Sequence, residues 1–266
     1  MTTIRGESTT VFMRRTNSGK RLHLLDTIRG ITLISMIAYH TAWDLVYIAG
    51  INWPWYHSRG AYVWQQSICW TFILLSGLCN VLSVHKWRRG LLVFASGLLV
   101  TAATLVFLPE DRVIFGVLTL IGSAMLIFAL IGPGLKNVPP SAGILVCALL
   151  FYVFRLVNDG LLQLWPGKQI PLPSGLYHGM TATYFGFMDP TFYSTDYFSI
   201  LPWIFLYGTG VFLGRFLNRR GLLRTGFFRL NIPPLSFLGR HSLLIYLLHQ
   251  PVIYMVIVLL TRAGIL

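Results

Sequence analysis

RLHLLDTIRGITLISMIAYHTAWDLVYIAG, residues 21–50, has the length and apolar content of a membrane-spanning helix but carries ionisable side chains well inside it. These side chains are Asp26, Arg29, His40 and Asp44. A helix rises about 1.5 Å per residue, so Asp26 and His40 would lie roughly 21 Å apart along its axis. We therefore expect Asp26 and Arg29 at one mouth of the membrane, with His40 and Asp44 well across it. Because ionisable groups are costly inside hydrocarbon, the stretch predicts a functional site.

The spacing of His40 and Asp44 favours acid–base chemistry. The two residues are four apart, so both side chains fall on one face of a helix. A carboxylate beside an imidazole orients the ring and raises its basicity. The alternative is a polar pair that only holds neighbouring helices together. The presence of Asp26 and Arg29 in the same span favours catalysis or substrate handling.

The composition indicates an integral membrane protein. Of the 266 residues, 55% are apolar and only 11% are charged, whereas soluble domains carry about 25% charged residues. The hydropathy predicts an all-α, polytopic transmembrane helical bundle of about seven spans, each near the ~20 residues that a bilayer requires. The predicted spans run roughly over residues 24–49, 61–83, 90–108, 113–132, 141–158, 196–217 and 241–261. We expect residues 1–20 to form a disordered, basic cytoplasmic tail and residues 21–266 to form a single transmembrane domain.

The distribution of the +13 net charge along the chain indicates the membrane topology. Fifteen of the 21 lysines and arginines fall in segments predicted on one side of the membrane, and four fall on the other. Because Lys and Arg are enriched on the cytoplasmic side, the N-terminus and the connection 215–240 are predicted inside. The connection 158–195 is predicted outside. Anionic lipid is the expected partner of the basic surface, and no nucleic-acid partner is expected.

Polar side chains in other spans extend the candidate site. Gln66 and Asn80 lie in the second predicted span, where they could hydrogen-bond a substrate or only a neighbouring helix. His249 lies in the last predicted span just before Pro251, which would kink the helix there. The connection 158–195 is long enough to be functional, and we expect it to form a lid outside the membrane.

Four further residues lie in or near the outer connections. His57 belongs to the aromatic-rich connection after the first span, and His178 belongs to the predicted lid. Asp196 follows the lid directly and begins the sixth predicted span. Arg155 lies at the outer end of the fifth span, where it would snorkel to the surface, contact an acidic substrate or pair with Asp159.

The cysteines predict neither a disulfide framework nor a metal site. Cys69, Cys79 and Cys147 all lie in apolar runs and lack the spacing of metal ligands. We interpret them as small buried side chains. The sequence also lacks a glycine-rich nucleotide loop, so no metal and no ATP are expected.

Two patterns resemble known families of membrane acyltransferases. Arg29 followed after ten residues by His40 resembles the signature of the acyltransferase-3 enzymes. A longer ordered set resembles the bacterial DUF1624 family, which shares its catalytic domain with heparan-alpha-glucosaminide N-acetyltransferase. That set covers residues 21 to about 255 and consists of RLHLLDTIRGITLISMIAYH, FILLSG, FGVLTLIG, DYFSILPWIFLYGTGVFLGR and LGRHSLLIYLLHQP.

The resemblance implies a membrane enzyme with a defined direction of transfer. Such an enzyme takes an acyl group, typically acetyl, from cytoplasmic acyl-CoA and delivers it to a sugar amine or hydroxyl on the far side. Asp26 and Arg29 match the Asp and Arg that the family has at the inner mouth. His40 matches the acyltransferase-3 histidine, whereas the heparan enzyme has Asn there and takes its histidine from the following loop. His57 is the nearest counterpart of that loop histidine, offset by about a residue.

These assignments and the residue chemistry together predict an acyltransferase in the bacterial inner membrane. We expect Arg29, with Asp26, to bind acetyl-CoA, and His40, oriented by Asp44, to act as general base, with His57 and His249 as rivals. The predicted acceptor is a cell-envelope glycan, and its candidate ligands are Gln66, Asn80, His178 and Asp196. The competing function is a proton-coupled transporter in which His40, Asp44 and His249 relay protons. The sequence leaves a homo-oligomer open.

Overall fold

The computed structural model describes residues 21–266, and the tail predicted over residues 1–20 lies outside them. The prediction of a helical protein is confirmed, since most of the described chain is helical. The helices are α1 (His23–Tyr47), α2 (Arg59–Asn80), α3 (Lys86–Phe107), α4 (Val117–Ile131), α5 (Pro140–Val153), α6 (Gly179–Phe185), α7 (Trp203–Arg219), α8 (Pro233–Arg240) and α9 (Ser242–Arg262). Each predicted span corresponds to one long helix, namely α1 to α5, α7 or α9.

Three stretches within residues 21–266 are long and apolar enough to cross a membrane. They are Lys86–Phe107, Pro140–Asp159 and Ser242–Arg262, and the shorter helix Val117–Ile131 is also apolar. The polar and ionisable residues of α1 and α2 lower the hydropathy of those helices, and α7 is 17 residues long. Seven spans and a cytoplasmic N-terminus therefore stay predictions.

Glycines on α2 and α7 bring these two helices close enough for their backbones to touch. A methyl group added at Gly77 would lie 2.2 Å from the carbonyl oxygen of Tyr207, and one added at Gly210 would lie 2.3 Å from that of Leu74. Small residues permit this kind of close packing between helices in membranes. The crossing belongs to the main core, which α2, α4, α5 and α7 build around Tyr207, Trp203 and their neighbours.

The connection before α9 contains a helix that the sequence analysis did not predict. The two prolines at 233 and 234 begin α8, because proline fits the first turn of a helix, where its missing N–H costs nothing. Helix α8 packs along α1 at two glycines. A methyl group at Gly30 would lie 2.0 Å from the carbonyl oxygen of Leu235, and one at Gly239 would lie 1.8 Å from that of Asp26. The crossing places Arg240 next to the first turn of α1.

The predicted lid is ordered and contains the only two strands of the described chain. Strands β1 (Leu161–Trp165) and β2 (Lys168–Pro171) form an antiparallel hairpin, and α6 follows them. The end of the segment is tied to the turn before α4. Thr195 donates its N–H to the carbonyl oxygen of Arg112 at 3.1 Å, and Phe198 donates to Phe115 at 2.8 Å. Because α7 begins only at Trp203, Asp196 lies in this tied segment and not in a helix.

Candidate active site

A basic cavity of about 350 Å³ lies where α1, α2, α3, α4 and the α8–α9 corner meet. Four arginines line it, and Asp26 is the one carboxylate among its lining residues. The arginines are Arg21, just before α1, Arg29 of α1, Arg89 of α3 and Arg240 at the end of α8. Their excess positive charge suits a ligand with several negative charges.

Asp26 organises two of these arginines. Its Oδ1 accepts a hydrogen bond from Nη1 of Arg29 at 2.9 Å, and its Oδ2 accepts one from Nε of Arg21 at 2.8 Å. Asp26 and Arg29 thus form an ion pair across one turn of α1. Nη2 of Arg29 also approaches Sγ of Cys79 on α2 at 2.6 Å. Asp26 is buried, so it fixes the Arg29 guanidinium at the wall of the cavity.

Asn80 also belongs to the basic cavity. Its Nδ2 donates to the hydroxyl of Tyr207 at 3.1 Å, and the side chain is buried between α2 and α7. The structure thus separates Asn80 from His40, although both were expected at one acceptor site. Its hydrogen bond to Tyr207 favours the alternative role of joining two helices.

A second cavity, of about 230 Å³, contains His40, and we call it the histidine cavity. Two carboxylates line it, Asp111 and Asp196, and none of the lining residues is a lysine or an arginine. Gln65 and Gln250 supply amide groups to the same walls. The charge of this cavity is therefore opposite in sign to that of the basic cavity.

His40 contacts His249 and not Asp44. The ring centroids of the two histidines are 4.9 Å apart, with the planes inclined at 62°. Nδ1 of His249 is 2.5 Å from the carbonyl oxygen of Tyr246, so that nitrogen carries the proton. Nε2 of His249 is then an acceptor, and within residues 21–266 it is buried with no partner. His249 thus presents a lone pair in the immediate surroundings of His40.

Asp44 has a different partner from the one that the sequence analysis predicted. Its Oδ1 accepts a hydrogen bond from Nε2 of Gln250 at 2.7 Å, and the structure shows no hydrogen bond between Asp44 and His40 among the residues it describes. The spacing of four residues fixes the shared helix face but not the side-chain torsions, and α9 supplies a competing donor. Asp44 is fully buried, and its Oδ2 has no partner in the described part of the chain. Asp44 therefore positions Gln250, which lines the histidine cavity.

Three side chains line both the basic cavity and the histidine cavity. They are Phe72 of α2, Val117 of α4 and Tyr246 of α9, and together we call them the partition. The partition therefore has the arginine-lined cavity on one side and the cavity of His40 on the other.

Asp196 lines the histidine cavity next to Val117 of the partition. Its Oδ2 accepts a hydrogen bond from the N–H of Val117 at 3.2 Å, which caps the N-terminus of α4. Asp196 also lines a third cavity, of about 320 Å³, which we call the vestibule. The vestibule and the histidine cavity share Gln65, Thr195 and Asp196.

Gln66 lies in the vestibule and not in the histidine cavity. Its Oε1 accepts hydrogen bonds from Nη2 of Arg155 at 2.8 Å and from Nε1 of Trp70 at 3.2 Å. The neighbouring residue, Gln65, lines both cavities. Successive residues of a helix point about 100° apart around its axis. The place of Gln66 in the sequence therefore fixes its depth along α2 but not whether Gln65 or Gln66 faces His40.

His57 and His178 are exposed, and neither lines the basic cavity, the histidine cavity or the vestibule. His57 ends a short 3₁₀ turn (Pro54–His57) beside Tyr47 and Tyr56. His178 precedes α6 near Asp189. Three hydrogen bonds to Asp189, from the N–H groups of Gly179 and Thr191 and from the Thr191 hydroxyl, lower its pKa to about 2.

A family of enzymes matches nearly the whole described chain. The model of the family described as "Heparan-alpha-glucosaminide N-acetyltransferase, catalytic" matches residues 21–251. The chain belongs to this family. No curated protein and no solved structure matches the chain in the corresponding comparisons. The match covers every lining residue of the three cavities except Tyr254. The apolar helices agree with membership of a family of membrane acetyltransferases.

For a member of this N-acetyltransferase family, the structure gathers most but not all of the predicted site residues. The basic cavity is lined by Asp26, Arg29 and Asn80. The histidine cavity is lined by His40 and Asp196, and the ring of His249 contacts that of His40. Sequence reasoning missed several lining residues, among them Arg89, Arg240, Gln65, Asp111, Tyr246 and Gln250. For part of this set the sequence offered one signal, which is a polar residue directly beside a candidate site residue, as Gln250 is beside His249.

Proposed function

We propose that this protein is a multi-pass acetyltransferase that carries an acetyl group from acetyl-CoA across the membrane to the amino group of a sugar. The observation that carries this proposal is the pair of cavities of opposite charge that meet at the partition. The donor would occupy the basic cavity and the acceptor the histidine cavity. The acetyl group, which is small, would be the only part to pass the partition.

The arginines support acyl-CoA as the donor. Its phosphates are the kind of polyanion that several guanidinium groups bind through charge-assisted hydrogen bonds. Asp26 holds Arg29 and Arg21 in place, while Arg89 and Arg240 complete the wall. The long pantetheine arm of CoA would extend from the phosphates toward the partition.

The carboxylates of the histidine cavity support an amine as the acceptor in preference to a hydroxyl. Asp111 and Asp196 would attract an ammonium group to a cavity that lacks lysine and arginine among its lining residues. The ammonium group must lose a proton before the amine can attack the thioester carbon, and the attack ends with cleavage of the C–S bond and release of CoA on the donor side. His40 is the histidine that lines this cavity. His40 would accept that proton, with the unprotonated Nε2 of His249 available to receive a hydrogen bond from its ring. Gln65 and Gln250 are candidate donors to the oxyanion that the attack creates.

The distribution of arginines and lysines supports an orientation. The basic cavity opens among segments that carry most of the positive charge, so we place it on the cytoplasmic side of a bacterial inner membrane. The histidine cavity and the vestibule would face away from the cytoplasm. The acceptor would then be an amino sugar of the cell envelope, reached from outside.

Transfer of labelled acetyl from acetyl-CoA to amino sugars by the purified protein in nanodiscs tests the proposal. Arg29→Ala should weaken CoA binding by about 10- to 100-fold, because one charge-assisted hydrogen bond contributes ~1.5–3 kcal/mol. Arg29→Lys should recover part of the binding, and Arg224→Ala, outside the basic cavity, should leave it unchanged. Equal CoA affinity in all four proteins would contradict the donor site.

The base is tested in the same system. His40→Ala should lower kcat by about 10²- to 10⁴-fold, the usual contribution of a general base, with CoA binding unchanged. His85→Ala changes an exposed histidine outside the three cavities and serves as the control. Loss of transfer in His57→Ala but not in His40→Ala would move the chemistry to the outer connection. A proton flux that depends on His40, without any acetyl transfer, would support the transporter.

A further inference from the structure

Tyr246 differs from the other two side chains of the partition because it ends in a hydroxyl group. Phe72 and Val117 have no polar side-chain atom. Among residues 21–266 the Tyr246 hydroxyl has no hydrogen-bond partner, and protein atoms do not seal it off from the cavities. A tyrosine hydroxyl inside a protein usually finds a partner, so a free one between two cavities is available to a ligand.

Packing holds the Tyr246 ring in one place. The ring packs against the main core, and it also packs against a second group of buried side chains from α1 and α2, namely Leu33, Met36 and Ile68. Because a tyrosine side chain has few torsions, these contacts fix the position of its hydroxyl. A donor that is already in place needs no reorganisation at the moment of reaction.

Helix α9 relates Tyr246 to the proposed base. His249 and Gln250 follow Tyr246 by three and four residues, so the three side chains share one face of the helix. The carbonyl oxygen of Tyr246 accepts the hydrogen bond that sets the tautomer of His249, and the two ring centroids are 5.3 Å apart. His249 in turn contacts His40. One turn of α9 therefore holds both the hydroxyl and the neighbour of the base.

The place of the reacting carbonyl follows from the proposed function, on which this inference rests. The thioester sulfur would lie in the basic cavity and the amine in the histidine cavity, so the carbonyl carbon between them would lie at the partition. As the N–C bond forms, the π electron pair of the carbonyl moves onto its oxygen. That oxygen then needs a hydrogen-bond donor, and the partition offers one side-chain donor, the hydroxyl of Tyr246.

We propose that Tyr246 is a catalytic residue whose hydroxyl donates a hydrogen bond to the thioester carbonyl and to the oxyanion formed from it. The phenol keeps its proton throughout. When the carbonyl re-forms, the C–S bond breaks and its electron pair leaves on the sulfur of CoA. Gln65 and Gln250 line the histidine cavity but not the basic cavity, so they would reach the same oxygen only from the acceptor side.

The first experiment removes the hydroxyl and keeps the ring. Tyr246→Phe should lower kcat by about 10²- to 10³-fold, the usual loss of one oxyanion donor. The KM values for acetyl-CoA and the sugar should be unchanged, and so should the thermal unfolding midpoint, because the hydroxyl has no partner to lose. Tyr152→Phe removes a hydroxyl from α5, outside the three cavities, and should keep wild-type kcat. Wild-type kcat in Tyr246→Phe would overturn the inference.

A graded series separates donation from packing. Fluorinated tyrosines incorporated at position 246 keep the ring and make its hydroxyl progressively more acidic, and a more acidic hydroxyl is a stronger donor. At a pH where all of them stay protonated, kcat should rise from tyrosine to 3-fluorotyrosine to 3,5-difluorotyrosine. A kcat that does not follow the acidity would assign Tyr246 to filling space and overturn the inference.

A measurement without any acceptor keeps the two proposals separable. The probe is the ketone analogue of acetyl-CoA in which CH₂ replaces the thioester sulfur, with a ¹³C-labelled carbonyl, so that no acetyl group can be transferred. The infrared carbonyl stretch of the bound probe should lie at lower frequency in the wild-type protein than in Tyr246→Phe. If it does but no sugar is acetylated, the contact of the hydroxyl with the acyl carbonyl stands and the proposed reaction is wrong. Equal frequencies together with normal acetyl transfer would overturn the inference alone, and failure of the probe to bind would overturn both.

Discussion

Substitution of Gly239 by alanine tests the contact between α8 and α1 that builds one wall of the basic cavity. The added methyl carbon would lie 1.8 Å from the carbonyl oxygen of Asp26 and 2.7 Å from its carbonyl carbon. Both are backbone atoms, so no side-chain rotation relieves the overlap. One helix must move by about 1 Å or more before the atoms reach van der Waals separation.

The energetic cost follows from this overlap. Overpacking a well-filled site costs about 1–3 kcal/mol, and we expect Gly239→Ala at the upper end because two backbones collide. At about 2–4 °C per kcal/mol, the thermal unfolding midpoint should fall by roughly 4–12 °C. Affinity for CoA should fall as well, because the displaced backbone belongs to Asp26, whose carboxylate holds Arg29.

The assay compares three purified proteins in one detergent by thermal unfolding and by CoA binding. Gly226→Ala is the matched control, since Gly226 lies in the same connection with φ −58° and nothing within 4 Å of the added carbon. It should behave as wild type in both measurements. If Gly239→Ala matches wild type in both measurements, α8 does not lie against α1, and the wall of the basic cavity is not built as described.

Three further predictions concern other parts of the protein. Asp44→Ala should cost about 1–3 kcal/mol in thermal unfolding, because it leaves the amide of Gln250 buried without an acceptor, whereas Asp44→Asn keeps an acceptor and should cost less. The pKa of Asp189 is lowered from 3.8 to about 2 by its hydrogen bonds, so its contribution to stability is present above about pH 4 and is lost as the pH falls toward 2. Pepsin should therefore cleave the segment 158–202 faster as the pH falls through this window, and Asp189→Asn should flatten that dependence. A cysteine placed at Arg219, with the three native cysteines removed, should resist an impermeant thiol reagent in intact cells, and labelling there would reverse the predicted topology.

The long helices could be predicted from the sequence because hydropathy is a local property. Each of the seven predicted spans overlaps one long helix, although the sixth helix begins at Trp203 and not at residue 196. The pairing of Asp26 with Arg29 was also predictable, since three residues on one helix face lie within reach of each other. Family membership followed from ordered motifs along the chain, and residues 21–251 match the family.

What the sequence could not supply were the contacts between helices. Nothing near His40 in the chain indicates that its ring would meet His249, more than 200 residues later, or that Gln250 would take Asp44 as its acceptor. Helix α8 escaped prediction because eight residues that begin with two prolines resemble a break in a basic loop. The choice between Gln65 and Gln66 depends on the rotation of α2 about its axis, and both faces of that helix carry polar residues.

The partition has a consequence for the membrane as an electrical barrier. A protein with a polar cavity on each side of a thin division shortens the hydrocarbon path that normally insulates the two aqueous phases. Phe72 and Val117 present only apolar surface there, and Tyr246 presents a ring, so the division would exclude ions by remaining dry. A smaller side chain in the partition, as in Phe72→Ala, should open a gap between the two cavities and raise the ion conductance of proteoliposomes. Under the proposed function, the size of these three side chains would set a compromise between the length of acyl chain that can pass and the voltage that the membrane can hold.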